Sequence, residues 1–202
     1  MDECTAKKQD MATTPKVDDA VGVPNAEKRE WFVAIVNNHS EKKYAQVLHN
    51  EEYETFVPIQ SEKRTWRNGT VKVVDRVLIA AVIFVYCTEN ERKEIVKKPF
   101  VKRFMVDQTQ KDKNGKHPIA KIPEHQIDTF RKLLSKTDEP VTIEPLPLNI
   151  GDKVRIIRGK LVGIEGMILQ QRCRETFLIV EIYLLGCAKL GISLEDVEKI
   201  DS

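Results

Sequence analysis

Arg64, Trp66 and Arg67 lie within four residues of one another in RTWRNG. Basic groups beside an aromatic suit one kind of chemistry: phosphate contact with base stacking. Further cations of the same kind are His39, Lys42 and Lys43 in HSEKK, and Lys97, Lys98, Lys102 and Arg103 in KKPFVKR. A solvated charged face is the competing reading. Glu41, Glu51 and Glu52 stand nearby and dilute the field. Catalysis finds no foothold. There is no nucleophile–base pair and no GxxxxGK[ST] phosphate loop, and Arg158-Gly-Lys160 is too short for one. His117 and His125 flank a polar loop and a helix start and are read as exposed. Cys4, Cys87, Cys173 and Cys187 show neither C-x-x-C spacing nor a histidine at zinc-ligand distance. They are read as reduced thiols of a cytoplasmic protein, with Cys87 and Cys187 as small core residues. No enzyme activity, metal or cofactor is expected.

The charge is unevenly spread. Over the whole chain 33 basic residues face 31 acidic ones, a net of +2. The stretch 30–136 holds 20 basic and 14 acidic residues, the only segment with a basic excess. Any polyanion contact is expected there. VLIAAVIFVY, residues 77–86, carries no charge. It falls short of the roughly 20 apolar residues a membrane helix needs and reads as a buried strand. MDECTAKKQD lacks the basic start and apolar run of a signal peptide.

These groups need elements to position them. Residues 1–28 hold few large apolar side chains and read as a mobile tail. WFVAIV is a strand, and EKKYAQVLHNEE places Tyr44, Val47 and Leu48 on one helical stripe. YETFVPI is a second strand, and Pro58 puts it at an edge or ends the regular pairing there. TWRNGTVKV predicts a hairpin, with Asn68-Gly69 supplying two positive φ angles. Thr88 and Glu91 form a capping-box pattern ahead of a short helix that Pro99 ends. VKRFMV is a strand, and Pro123 opens a helix burying Ile127, Phe130, Leu133 and Leu134. TDEPVTIEPLPL, with three prolines and three acids, reads as an interdomain linker. Brief strands follow at close spacing (VRIIR, GMILQ, FLIVEIY and one near LGISL), the pattern of a small β-barrel.

WFVAIVNNHSEKKYAQVL, the hairpin with VLIAAVIFVY and VKRFMV, and GDKVRIIRGKLVGIEGMI together resemble the NusG family of transcription elongation factors over roughly residues 30–200. UpxY-type specialised antiterminators are the subgroup most similar. The resemblance implies an α+β chain: a tail at 1–28, an NGN-type antiparallel sheet with flanking helices at 29–136, a linker at 137–148, and a KOW SH3-like small β-barrel at 149–202. Gly151, Val154, Gly159, Gly163 and Gly166 match the KOW motif. In relatives an apolar pocket around Leu-Phe-Pro-Gly-Tyr-Val-Phe-Val takes the polymerase clamp helices. Here the segment is Leu78 to Val85, with Ala80-Ala81 in place of Pro-Gly, so the chain is expected to run straighter. The implied docking residues are Ile35, Ile79, Val82, Phe84 and Phe104. The face around the first helix would meet the non-template DNA strand, and the hairpin would reach toward the upstream DNA or the opposite side of the cleft. Leu185, Gly186 and Cys187 mark the loop through which the second domain meets a termination factor or a ribosomal protein. The implied function is antitermination or elongation on RNA polymerase at a polysaccharide operon, by a monomer with no membrane contact. A general housekeeping NusG factor and a ribosome-associated RNA-binding KOW protein are the alternatives.

Overall fold

A computed structural model describes residues 28–145, 151–170 and 176–200. All but Lys28 of the expected tail lies outside the described residues, as do residues 146–148 of the expected linker, Cys4 and Cys173. The elements run β1 (Glu30–Val36), α1 (Glu41–Asn50), β2 (Glu54–Phe56), β3 (Ile59–Thr65), β4 (Val71–Val77), β5 (Val82–Cys87), α2 (Glu89–Ile95), β6 (Val101–Phe104), β7 (Lys121–Ile122) and α3 (Glu124–Lys136). They continue with β8 (Thr142–Glu144), β9 (Lys153–Ile156), β10 (Glu165–Gln170), β11 (Thr176–Ile182), β12 (Gly186–Gly191), a 3-10 turn (Leu194–Asp196) and β13 (Val197–Lys199).

The first sheet has the antiparallel order β2-β5-β1-β6, with β7 also pairing β1. Period-two alternation sends Trp31, Val33, Val82 and Phe84 to one face and Phe32, Ala34, Ile83 and Val85 to the other. Both faces are covered, so both are apolar. α1 and α2 cover the second face, where the Tyr44 and Phe100 rings stack at 4.4 Å. α3 covers the first, burying Ile127, Phe130 and Leu133, and the Phe130 ring meets Phe56 edge-on at 5.8 Å. The capping box forms at α2: Thr88 Oγ1 accepts from the Glu91 N–H at 3.2 Å, and Glu91 Oε2 accepts from the Thr88 N–H at 2.7 Å.

Three expectations need correcting. VLIAAVIFVY is not one strand. β4 ends at Val77, the chain bends at Leu78-Ile79 and turns at Ala80-Ala81, and β5 begins at Val82. The hairpin turn is not a two-residue primed turn. Five residues, 66–70, connect β3 to β4, and Gly69 has φ +78° while Asn68 stays at negative φ. Instead Asn68 Oδ1 accepts from the Thr70 N–H at 3.1 Å, a local side-chain turn that leaves only the glycine in the left-handed region.

The third correction concerns the second sheet. The strands expected there form, but the SH3-like barrel does not. The six-stranded sheet is an open path, β13-β9-β10-β11-β12-β8, whose end strands do not meet. β8, from the stretch read as a linker, takes the outer edge of β12 through Cys187↔Glu144, Ala188↔Ile143 and Lys189↔Thr142. β13 takes the outer edge of β9. Closure would require those two edges to pair with each other. Both end strands are three residues long and carry charge, which blunts an open edge. Inside the sheet Gly166 is required sterically, since a Cβ there would lie 2.6 Å from the Ile179 carbonyl oxygen.

Candidate binding surfaces

Ile35, Ile79, Val82 and Phe84 gather on the α3 face of the first sheet. Val82 is 4% exposed and Phe84 fully buried, and both share one apolar cluster with Phe130 of α3 and with Val154, Leu178 and Val180 of the second sheet. Only Ile35 and Ile79 of this group are partly exposed. Phe104 lies elsewhere. It belongs to the opposite face, meets Phe32 edge-on at 6.2 Å, and lies 5.3 Å below the Arg92 guanidinium. Alternation alone cannot report that split, because both faces of this sheet are core.

Beside this face the chain turns at Ala80-Ala81 instead of running straighter. Ala81 takes φ +61° and Ala80 a negative φ, the order of a type II turn, which favours proline then glycine. A left-handed alanine costs roughly 1–2 kcal/mol. The side chain that holds it is Glu41, at the start of α1. Its Oε1 accepts from the Ala81 N–H at 2.6 Å and from the His39 N–H at 3.2 Å. His39 is left-handed too, at φ +62°. Burial alone would raise the Glu41 pKa; the backbone donors outweigh it and hold the carboxyl below its usual range. Glu41 is 3% exposed, so its carboxylate faces backbone donors rather than solvent. An acid after Ser40 reads as a helix-start residue, and its long-range partner at 81 leaves no local signal.

The expected basic contacts fall into two groups. Several are engaged: Lys42 pairs with Asp75 at 2.9 Å, Arg64 with Glu62 at 2.6 Å, Lys97 with Glu94 at 2.6 Å and Lys98 with Glu51 at 2.6 Å. Lys42, then Ser61, holds the Asp75 carboxyl below its ordinary range and ties α1 to the base of the hairpin. Arg67, Lys102 and Arg103 are exposed and form no ion pair among the described residues, and Lys43 lies 6.0 Å from the Tyr44 ring centre. At the hairpin Trp66 is 55% exposed, with Val71 and Val73 also exposed and the Lys72 ammonium 6.0 Å from the indole. Arg67, Trp66 and Lys72 thus cluster at a projecting tip, while His39, Lys97 and Lys98 do not join them.

In the second sheet Val154 is core, Gly159 and Gly163 serve turns at φ +78° and +84°, and the Gly151 N–H donates to Ile168 O at 2.8 Å. Tyr183, Leu184 and Leu185 form the tight β11–β12 turn, Gly186 opens β12, and Cys187 lies buried beside β8. Burial pushes the Cys187 thiol up and the Cys87 thiol up to about 12, so both are unreactive.

Polar contacts join the two sheets' neighbourhoods. Tyr183 Oη donates to Asp107 Oδ2 at 2.6 Å, and the Tyr183 N–H donates to Gln126 Oε1 at 2.8 Å. Gln60 donates to Glu139 O at 2.7 Å and accepts from the Val141 N–H at 3.0 Å. Lys160 pairs with Asp138. A cleft of about 480 Å³ between α3 and the second sheet is lined by His125, Thr129, Lys153, Glu165 and Glu181. Among the described residues no group of histidine, cysteine or acidic side chains could hold a metal ion, and no helix is long and apolar enough to cross a membrane.

The family model for transcription termination factor NusG matches residues 29–131, from the start of β1 into α3. Among solved structures, "Domain interaction in Thermotoga maritima NusG" is similar at 17% identity, covering 86% of this chain and 98% of that one, with a TM-score of 0.46. The "MjSpt4:Spt5 complex conformation B" is similar at 16% identity, covering 85% and 97%, with a TM-score of 0.28. No curated protein matches the chain.

Proposed function

Since the chain belongs to the NusG family and so is a regulatory transcription factor rather than an enzyme, we propose that it acts as a general elongation factor that binds RNA polymerase through the α3 side of its first sheet. The observation that carries this is the turn at Ala80-Ala81. It keeps its bend without proline or glycine, held by a buried carboxylate from α1. A left-handed alanine persists only where its surroundings determine it, and such strain concentrates at functional sites. Next to that turn stand Ile79 and Ile35, the two partly exposed members of an otherwise buried apolar face. An apolar rim of this kind suits an amphipathic helix, as the clamp helices of polymerase would supply.

Trp66 and Arg67 at the hairpin tip form a second contact, to the non-template strand, through stacking and phosphate neutralisation. The test is affinity purification of the tagged chain, parent against Ile79→Glu. Polymerase subunits should co-purify with the parent and be lost from the variant at unchanged thermal stability. Equal polymerase recovery from both, or ribosomal proteins in place of polymerase, would refute the reading.

A second reading places the chain among UpxY-type paralogues at a single polysaccharide operon. Its support is the Ala80-Ala81 replacement and the polar loop after Asp107. Chromatin occupancy separates the two: signal over all transcribed genes for the general factor, over one operon for the specialised one.

A further inference from the structure

We propose that the loop 108–117, between β6 and β7, is a phosphate-contact site for nucleic acid, separate from the hairpin. The inference rests on the transcription reading in one respect: it takes nucleic acid as the polyanion at hand. The loop reads QTQKDKNGKH, and every residue of it is exposed. Among the described residues exposed Lys111, Lys113 and Lys116 form no ion pair, as Arg67, Lys102 and Arg103 also do not, whereas Lys42, Lys97, Lys98 and Arg131 of the same unit are each matched to a carboxylate.

The nearby acids are engaged by the loop's own frame. Asp112 Oδ1 accepts from the Asn114 and Lys116 N–H groups, both at 2.8 Å. Asp107, buried at the root, accepts from the Thr109 N–H at 2.8 Å, the Thr109 hydroxyl at 2.5 Å and the Tyr183 hydroxyl at 2.6 Å. Thr109, then Tyr183, holds the Asp107 carboxyl below its usual range. The frame is closed in several more places. The Asp112 N–H donates to Lys116 O at 2.8 Å, Gly115 takes φ +73°, His117 Nδ1 lies 2.7 Å from Gln110 O, and the Asp107 N–H donates to Pro118 O at 2.8 Å. A solvated charged loop pairs its charges or lets them wander. This one fixes its backbone with its acids and leaves its cations free.

The chemistry selects the partner. Lysines are point charges that contact phosphates without reading bases. The loop has no large apolar residue to insert into a lipid surface, and its one ring, His117, is held against Gln110 O. Its ordered backbone reduces the entropy lost on binding. Its place is also distinct. The hairpin leaves the sheet beside Val36, where Val36 N–H donates to Ala81 O, whereas β7, which follows the loop, pairs with Trp31 and Phe32 at the other end of β1. The loop itself leaves beside Val33, where the Met105 N–H donates to Val33 O, so three residues of strand, roughly 10 Å at about 3.3 Å per residue, separate the two exits.

The experiment measures binding of the full chain to labelled mixed-sequence single-stranded RNA, single-stranded DNA and duplex DNA across a salt series, without polymerase. Lys111→Gln/Lys113→Gln/Lys116→Gln is compared with the parent and with Trp66→Ala/Arg67→Gln. For the triple variant the slope of log K against log salt should fall by about 2–3 on duplex, because each lost phosphate contact removes about 0.9. Affinity should drop at least tenfold at low salt, with thermal unfolding unchanged. The hairpin variant should lose affinity independently, so the two losses add. An unchanged slope and affinity in the triple variant, no binding by the parent to any probe, or displacement by poly-glutamate as effective as by nucleic acid would each overturn the proposal. None of these results bears on polymerase co-purification, so the two readings fail separately.

Discussion

Replacing Glu41 by alanine removes the acceptor that holds Ala81 in its left-handed turn. The carboxylate takes two backbone N–H groups, at 2.6 Å from Ala81 and 3.2 Å from His39, in a site where Glu41 itself is 3% exposed. A hydrogen bond to a charged group contributes about 1.5–3 kcal/mol, and stranding a buried donor costs about 1–3 kcal/mol. The His39 bond is long and its donor is near solvent, so most of the loss falls on Ala81. The expected loss is roughly 2–3 kcal/mol in urea unfolding at constant m, followed by the emission of buried Trp31. Two controls sharpen the result. In the Glu41→Ala background, Ala81→Gly should recover more stability than it does in the parent, because glycine needs no anchor there. The acid limb supplies the other. The folded Glu41 pKa lies below its ordinary 4.5, so its contribution is fully present above that value and disappears as pH falls through the folded pKa. The stability gap between parent and variant should therefore narrow on acidification. A loss under about 0.5 kcal/mol with a pH-independent gap would show that Ala81 is held by packing alone and would refute the anchoring role of Glu41.

Phe84→Ala should lose about 3–5 kcal/mol, because the ring is fully buried between Phe56 and the sheet; a loss below 1.5 kcal/mol in urea unfolding would mean the site collapses around the gap. For the same reason Phe84→Arg reports on folding rather than docking, and circular dichroism should show the first sheet lost. Tyr183→Phe removes a donor to Asp107, and the Asp107 carboxyl should titrate closer to its ordinary 3.8 by NMR; an unmoved titration would leave Thr109 as the sole cause of the depression. Gly166→Ala should destabilise the second sheet, since its Cβ would meet backbone at 2.6 Å that cannot rotate away, and tolerance by thermal unfolding would mean β10 and β11 can separate there.

Much of the first sheet is legible in the sequence because strand alternation, a capping box and a proline before α3 are local signals. The faces are another matter. Val82 and Phe84 alternate with Ile83 and Val85 in a run that is apolar throughout, and such a run says only that both sides are covered. Which side meets α3 depends on where helices thirty to fifty residues away return. That is why the sequence groups Phe104 with Phe84 although the two lie on opposite faces of the sheet.

The open second sheet failed to show for a related reason. TDEPVTIEPLPL is proline-rich and acidic, and those features dominate any reading by composition. Yet Thr142, Ile143 and Glu144 stand between Pro140 and Pro145, with every backbone N–H intact. Three such residues suffice to pair along β12 from Lys189 to Cys187. Composition averages over the stretch, whereas strand pairing needs only a short uninterrupted run of donors. Once β8 occupies that edge, β12 has no free side left, and barrel closure is lost to a strand that looks like linker. The same segment also ties the second sheet to the β3-β4 hairpin: Val141, just before β8, is fully buried and donates its N–H to Gln60 Oε1 of β3, so the edge strand and the junction are one feature of the chain.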